Sequence, residues 1–181
     1  MIKNNSFIRL FTIVVLLSGL TAANDRAIKK AVKKYAPTIV ELRHQIHQNP
    51  ELGNREFKTA KIVANHLNSL GMEVTTGVAH TGVIGLLKGG KPGPVVGVRA
   101  DMDALPVTEN TDLPFKSTVR ATYLGKDVGV MHACGHDIHT SVQLGVASVL
   151  ASIKRDLTGT VKFIFQPAEE GPPPGEEGGA D

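Results

Sequence analysis

The chain has 181 residues, of which 41% are apolar, 20% charged and 4% aromatic, a globular composition that excludes collagen-like, coiled-coil and disordered chains. One cysteine excludes an internal disulfide framework, and no apolar run reaches the roughly eighteen residues of a membrane span. With 20 basic and 17 acidic side chains the formal charge is only +3.

Lys3 and Arg9 precede an apolar run, Leu10 to Leu17, extended by Gly19 and Leu20 and followed by the small residues Thr21, Ala22 and Ala23. This is the layout of a secretory signal peptide over residues 1–23, with cleavage expected after Ala22 or Ala23 and an uncleaved anchor as the alternative. The expected localisation is therefore exported, periplasmic or secreted. Removing Lys3 and Arg9 from the 20 bases leaves 18 against 17 acids, a net of +1. Nucleic acid is not an implied partner, nor is a membrane after cleavage. Arg26, Lys29, Lys30, Lys33 and Lys34 read as a solvated helix face.

The periodicity predicts helices over 38–48 and 54–70, the second stopped by Gly71. Strands are predicted over 73–76, 82–88 and 94–100, with a Gly-Pro turn at 89–94 between the last two. Residues 107–131 read as irregular with one hairpin, 139–153 as a helix and 160–166 as a strand. The Gly- and Pro-rich stretch 171–181 is expected to be flexible. Helices alternating with short apolar strands imply an α/β layer sandwich.

Six segments bear on chemistry. Gly85-x-x-x-x-Gly90-Lys91 imitates a phosphate loop, but Pro92 stands where a hydroxyl should bind magnesium and no helix follows. Asn4-Asn5-Ser6 matches a glycosylation acceptor inside the removed segment. His44 and His47 share a helix face, as a metal pair or as packing near Pro50. The dense cluster is Met131-His132-Ala133-Cys134-Gly135-His136-Asp137-Ile138-His139, which holds the only cysteine. Thiolate with imidazole suits zinc, cobalt or nickel, and Gly135 allows a tight turn to aim Cys134 and His136 at one ion. Asp137 or a neighbour is expected to hold the far nitrogen of a ligand imidazole. A nucleophilic Cys134 with His136 or His139 as base is the rival reading. Glu169 and Glu170 follow the last strand, where one can ligate metal and the other take a proton from water. Asp101 and Asp103 follow the strand that ends at Ala100, and Asp103 is placed to orient a ligand histidine.

Together, His132-x-Cys134-Gly135-His136-Asp137-x-His139, Arg99-Ala100-Asp101-Met102-Asp103-Ala104-Leu105-Pro106 and Gln166-Pro167-Ala168-Glu169-Glu170-Gly171 resemble one family. Arg43-His44-x-x-His47-x-x-Pro50-Glu51-Leu52 belongs to the same pattern. The family is that of the metal-dependent amidohydrolases and carboxypeptidases, which includes hippurate hydrolases, N-acyl-amino-acid amidohydrolases and auxin-conjugate hydrolases. The resemblance implies a three-layer α/β sandwich catalytic domain of di-metal exopeptidase type, with residues 24–181 its N-terminal portion and the second half and lid domain absent. It implies Cys134, His136 and Glu170 as ligands of divalent ions (zinc, manganese, cobalt or nickel, two in the family), Glu169 as general base and Asp103 as an acid beside the metal. Wider relatives carry a ligand histidine where this chain has Asp101, so Asp101 is not assigned. The implied reaction is hydrolysis of the amide bond of an N-acyl amino acid or peptide by metal-activated water, in a protein that is a homo-oligomer at full length. Because the family supplies further histidine ligands and later strands downstream, this chain alone is expected to be inactive or poorly folded. The alternative is a truncated, non-catalytic remnant with at most weak metal binding.

Overall fold

The computed structural model describes residues 5–179, with side chains from Asp25 onward. The expected signal sequence, residues 1–23, and the Asn4-Asn5-Ser6 acceptor therefore begin outside the described residues, and residues 180–181 of the expected flexible stretch also lie outside them.

Helix α1 spans Asn5–Gln48 and runs through Pro37, where the sequence predicts a helix beginning only at Thr38. A proline inside a helix removes one hydrogen bond. Packing against the later helix α3, through Ile39 and Leu42, supports the continuous form. Helix α2 spans Phe57–Ser69, three residues shorter at its start than predicted, because Asn54 turns the chain with φ 58°. Gly71, at φ 72°, follows its last turn as expected.

Strands β1 (Glu73–Val78) and β2 (Gly82–Lys88) form an antiparallel pair. Strand β3 covers Lys91–Asp101 and takes in residues 91–94 of the expected Gly-Pro turn. It lies at the sheet edge, where the missing N–H groups of Pro92 and Pro94 need not break the ladder. The false phosphate loop is closed by backbone: the amides of Gly89, Gly90 and Lys91 donate to the carbonyls of Gly159, Lys154 and Leu157. Strands β4 (Arg120–Tyr123) and β5 (Lys126–Gly129) form the expected hairpin. Helix α3 (His136–Ser152) starts three residues before its predicted first residue, and β6 (Thr158–Gln166) completes the sheet.

The main sheet has the order β1-β2-β6-β3, with β6 antiparallel to β2 and parallel to β3. The fold is α/β, as the sequence indicated. Alternate residues of the strands, Val83, Leu87, Ala100, Phe163 and Phe165, join Val63 and Leu67 of α2 and Leu144 and Ala147 of α3 in one buried cluster. Burying each large side chain contributes about 1.5–3 kcal/mol. A smaller cluster of Leu52, Ala104 and Val130 lies beneath the β4–β5 hairpin. The parallel pairing sets Asp101 opposite Gln166, so the C-terminal ends of β3 and β6 lie side by side. The segment that carries α3 connects those two strands, and its first turn meets the same strand ends.

Candidate metal centre

Gly135, at φ 89°, makes the sharp entry into α3. That conformation favours glycine, and it places Cys134 just outside the helix and His136 in its first turn. His136 is buried, and its Nδ1 lies 2.9 Å from the backbone carbonyl of Asp103 and 3.2 Å from Asp103 Oδ1. A carbonyl only accepts, so Nδ1 carries the proton and Nε2 is the free nitrogen. Nε2 faces three carboxylates: Asp101 Oδ1 at 3.6 Å, Glu169 Oε2 at 3.6 Å and Glu170 Oε1 at 3.8 Å. Burial pushes the His136 pKa down, but the Asp103 and Asp101 carboxylates outweigh it and hold the value above the usual one.

Asp103 is buried as well, and its Oδ2 accepts the Glu170 amide at 2.9 Å. Burial raises its pKa, yet the contacts with His136 and with the Glu170 and Glu169 amides prevail and hold it below the ordinary carboxylate range. One side chain thus fixes a histidine from α3 and the turn after β6.

Among the described residues, the Cys134 sulfur, a His136 nitrogen and a Glu170 oxygen lie within 4.8 Å of one another. The Cys134 thiol is exposed, and the Glu170 carboxylate beside it pushes its pKa up to about 11. A lone thiol among acids is hard to ionise, whereas a cation between them reverses that balance. Thiol, imidazole and carboxylate are also the donor types zinc takes, so the residues present fit a divalent ion. A high thiol pKa disfavours the nucleophile reading of Cys134.

Asp101, His136 and His139 form a second such group. There His139 Nδ1 lies 2.6 Å from Asp101 Oδ1, and Arg99 binds the other Asp101 oxygen at 2.9 Å. The guanidinium, which also stands 3.8 Å from Glu169, makes this group less hospitable to a second cation.

Among the described residues, His44 and His47 of the α1 motif join neither group that could hold an ion. Asp137, one of the residues expected to hold a ligand imidazole, accepts from Arg43 at 2.7 Å and contacts His47 Nδ1 at 2.9 Å. Asp103, also expected to orient a histidine, is the residue that stands against His136 Nδ1. His47 Nε2 lies 3.2 Å from Glu109, which also takes the Ser117 amide at 2.6 Å. His44 stacks on Phe115 at 3.8 Å between ring centroids. Glu109 is not marked by any sequence motif, because its partner His47 is 62 positions away, and the motif that contains Arg43 does not show that it pairs with Asp137, 94 positions away. His132 is buried with neither ring nitrogen partnered among the described residues, and burial lowers its pKa to about 4.

The sequence model of the family described as Peptidase family M20/M25/M40 matches residues 97–181. Thermostable carboxypeptidase 1 of Saccharolobus solfataricus is 49% identical over 79% of this chain and 35% of its own length. Hippurate hydrolase of Campylobacter jejuni is 50% identical over 72% of this chain and 32% of its own. The crystal structure of the Bacillus subtilis YXEP protein, described as a dinuclear metal-binding peptidase, superposes with a TM-score of 0.68 at 42% identity, covering 76% of this chain and 36% of that one. The chain thus spans about a third of the length of the curated relatives it matches. Over that shared third it is similar to the peptidases and amidohydrolases of this family.

Proposed function

We propose that this chain forms the ion-binding part of a hydrolase that cleaves the amide bond of N-acyl amino acids or related peptides. Cys134, His136 and Glu170 hold a divalent ion, and Glu169 is the general base. The observation that carries this reading is the convergence of a sulfur, a nitrogen and an oxygen within 4.8 Å, drawn from the start of α3 and the turn after β6.

A divalent ion there would supply polarisation of the amide carbonyl and lower the pKa of water toward about 7. Asp103 keeps the His136 Nε2 lone pair turned to the cleft by accepting from Nδ1. Glu169, next in sequence to Glu170, turns a separate carboxylate to the same histidine nitrogen. It takes a proton from the attacking water and delivers it to the leaving nitrogen. Arg99, near Glu169 and Asp101, balances part of the acidic charge at the cleft. The likeness to a dinuclear peptidase supports two ions. The names of the hippurate hydrolase and carboxypeptidase relatives support an acyl-amino-acid or peptide substrate.

The test is zinc and manganese content of the purified chain against Cys134→Ala and Glu170→Gln after dialysis. Wild type retains metal and both variants lose it. Equal content in all three removes the ligand assignment.

A further inference from the structure

The turn that carries Glu169 and Glu170 is strained, and it is anchored from a distant helix. Ala168 has φ 47°, in the left-handed region that non-glycine residues avoid. Its amide donates to Glu56 Oε1 at 2.8 Å, across 112 positions of sequence. Glu56 is completely buried, and its other oxygen accepts the Thr81 hydroxyl. A carboxylate buried this deeply is costly unless its lone pairs are filled.

Glu56 occupies the N-cap of α2, where a short polar side chain normally bonds to the free amides of the first turn. It makes no such bond. Glu51 does so in its place: its carboxylate accepts the Lys58 amide at 3.1 Å, the Thr59 amide at 2.8 Å and the Thr59 hydroxyl at 3.0 Å. With the helix end satisfied from outside, Glu56 is free to reach across to the turn. Asp103 holds the same turn from its other side through the Glu170 amide.

We propose that Glu56 is a positioning residue, whose buried carboxylate holds the Ala168 peptide in its left-handed conformation and thereby aims Glu169 and Glu170 into the cleft with Cys134 and His136. The consequence for metal binding rests on the function proposed above. The anchor itself rests only on the geometry of the turn.

Two variants separate reach from charge. Glu56→Gln keeps a carbonyl oxygen for Ala168 and offers its amide to the Thr81 oxygen. Glu56→Asp keeps the charge but is one methylene too short. Hydrogen exchange at the Ala168 amide, without metal, and zinc affinity by chelator competition are read on the purified chain. Wild type and Glu56→Gln are expected to protect the amide and bind zinc comparably. Glu56→Asp is expected to lose protection and about 10–100-fold in affinity, the usual effect of losing a group that orients a ligand. The proposal is overturned if Glu56→Asp behaves as wild type, or if Glu56→Gln is as impaired as Glu56→Asp. Should Glu56→Asp fail to fold, the wild-type amide decides: protection supports the anchor, and exchange at the rate of an unstructured peptide sinks it. If wild type takes up no zinc while the amide pattern holds, the metal reading falls and the anchor stands.

Discussion

On the face of the main sheet toward α2 and α3, Phe163 and Phe165 of β6 belong to a cluster built from apolar side chains. Just past the end of the same strand, Glu169 and Glu170 face His136, which also faces Asp101 and Asp103, and these contacts are polar. The first region is held by shape and by area removed from water, so its members are interchangeable within a size class. The second is held by directed hydrogen bonds at partly or fully buried groups, where one lost acceptor leaves a donor unpaired. Stability and chemistry are therefore carried by different residues on one strand.

The largest expected effect sharpens this division. Phe163→Ala empties the centre of the core and should cost about 3–5 kcal/mol of unfolding free energy, read from urea denaturation. The variant that remains folded should bind zinc as wild type does. A matching loss of affinity would break the division. Next is Asp103→Asn, nearly isosteric, which weakens the hold on His136 Nδ1 and on the Glu170 amide. Zinc affinity should fall about 10–100-fold, with little change in the urea midpoint. A large stability loss with unchanged affinity would place Asp103 with the core.

The smallest effect concerns pH. His66 of α2 bonds to Ser148 of α3 at 2.8 Å, at the border of the apolar cluster. Burial lowers its pKa below the usual 6.5, although the backbone at Leu144 pulls the other way. The folded state thus disfavours the charged ring. Its contribution is fully present above the unfolded value and declines as pH falls through that value toward the lowered folded one. Wild type should lose more of its urea midpoint than His66→Gln on acidification from about pH 7.5 to about pH 5.5. Equal losses would mean that His66 does not sense the core.

The elements were legible where the apolar period was strong: β2 lies where the pattern puts it, and the β4–β5 hairpin falls within the stretch expected to hold one. Boundaries shifted where side chains compete with the backbone, as at Asn54 before α2. At the start of α3 the His-rich turn concealed the helix's first residues. The candidate ligands stood out because a lone cysteine, several histidines and paired acids are chemically conspicuous. Their supports did not stand out. Glu56 and Glu109 are ordinary charged residues in sequence, and only contacts with Ala168 and His47 distinguish them. Spacing along the chain carries no information about such distant partners.

The placement of β6 between β2 and β3 has a kinetic corollary. Until Thr158–Gln166 has left the ribosome, the β1–β2 hairpin and β3 have no common neighbour to join them. A late strand that must slot between two waiting edges, one of them in parallel register, is a slow way to close a sheet. Ion uptake would then mark the moment of closure, since the acids of the turn reach His136 only once that keystone is seated.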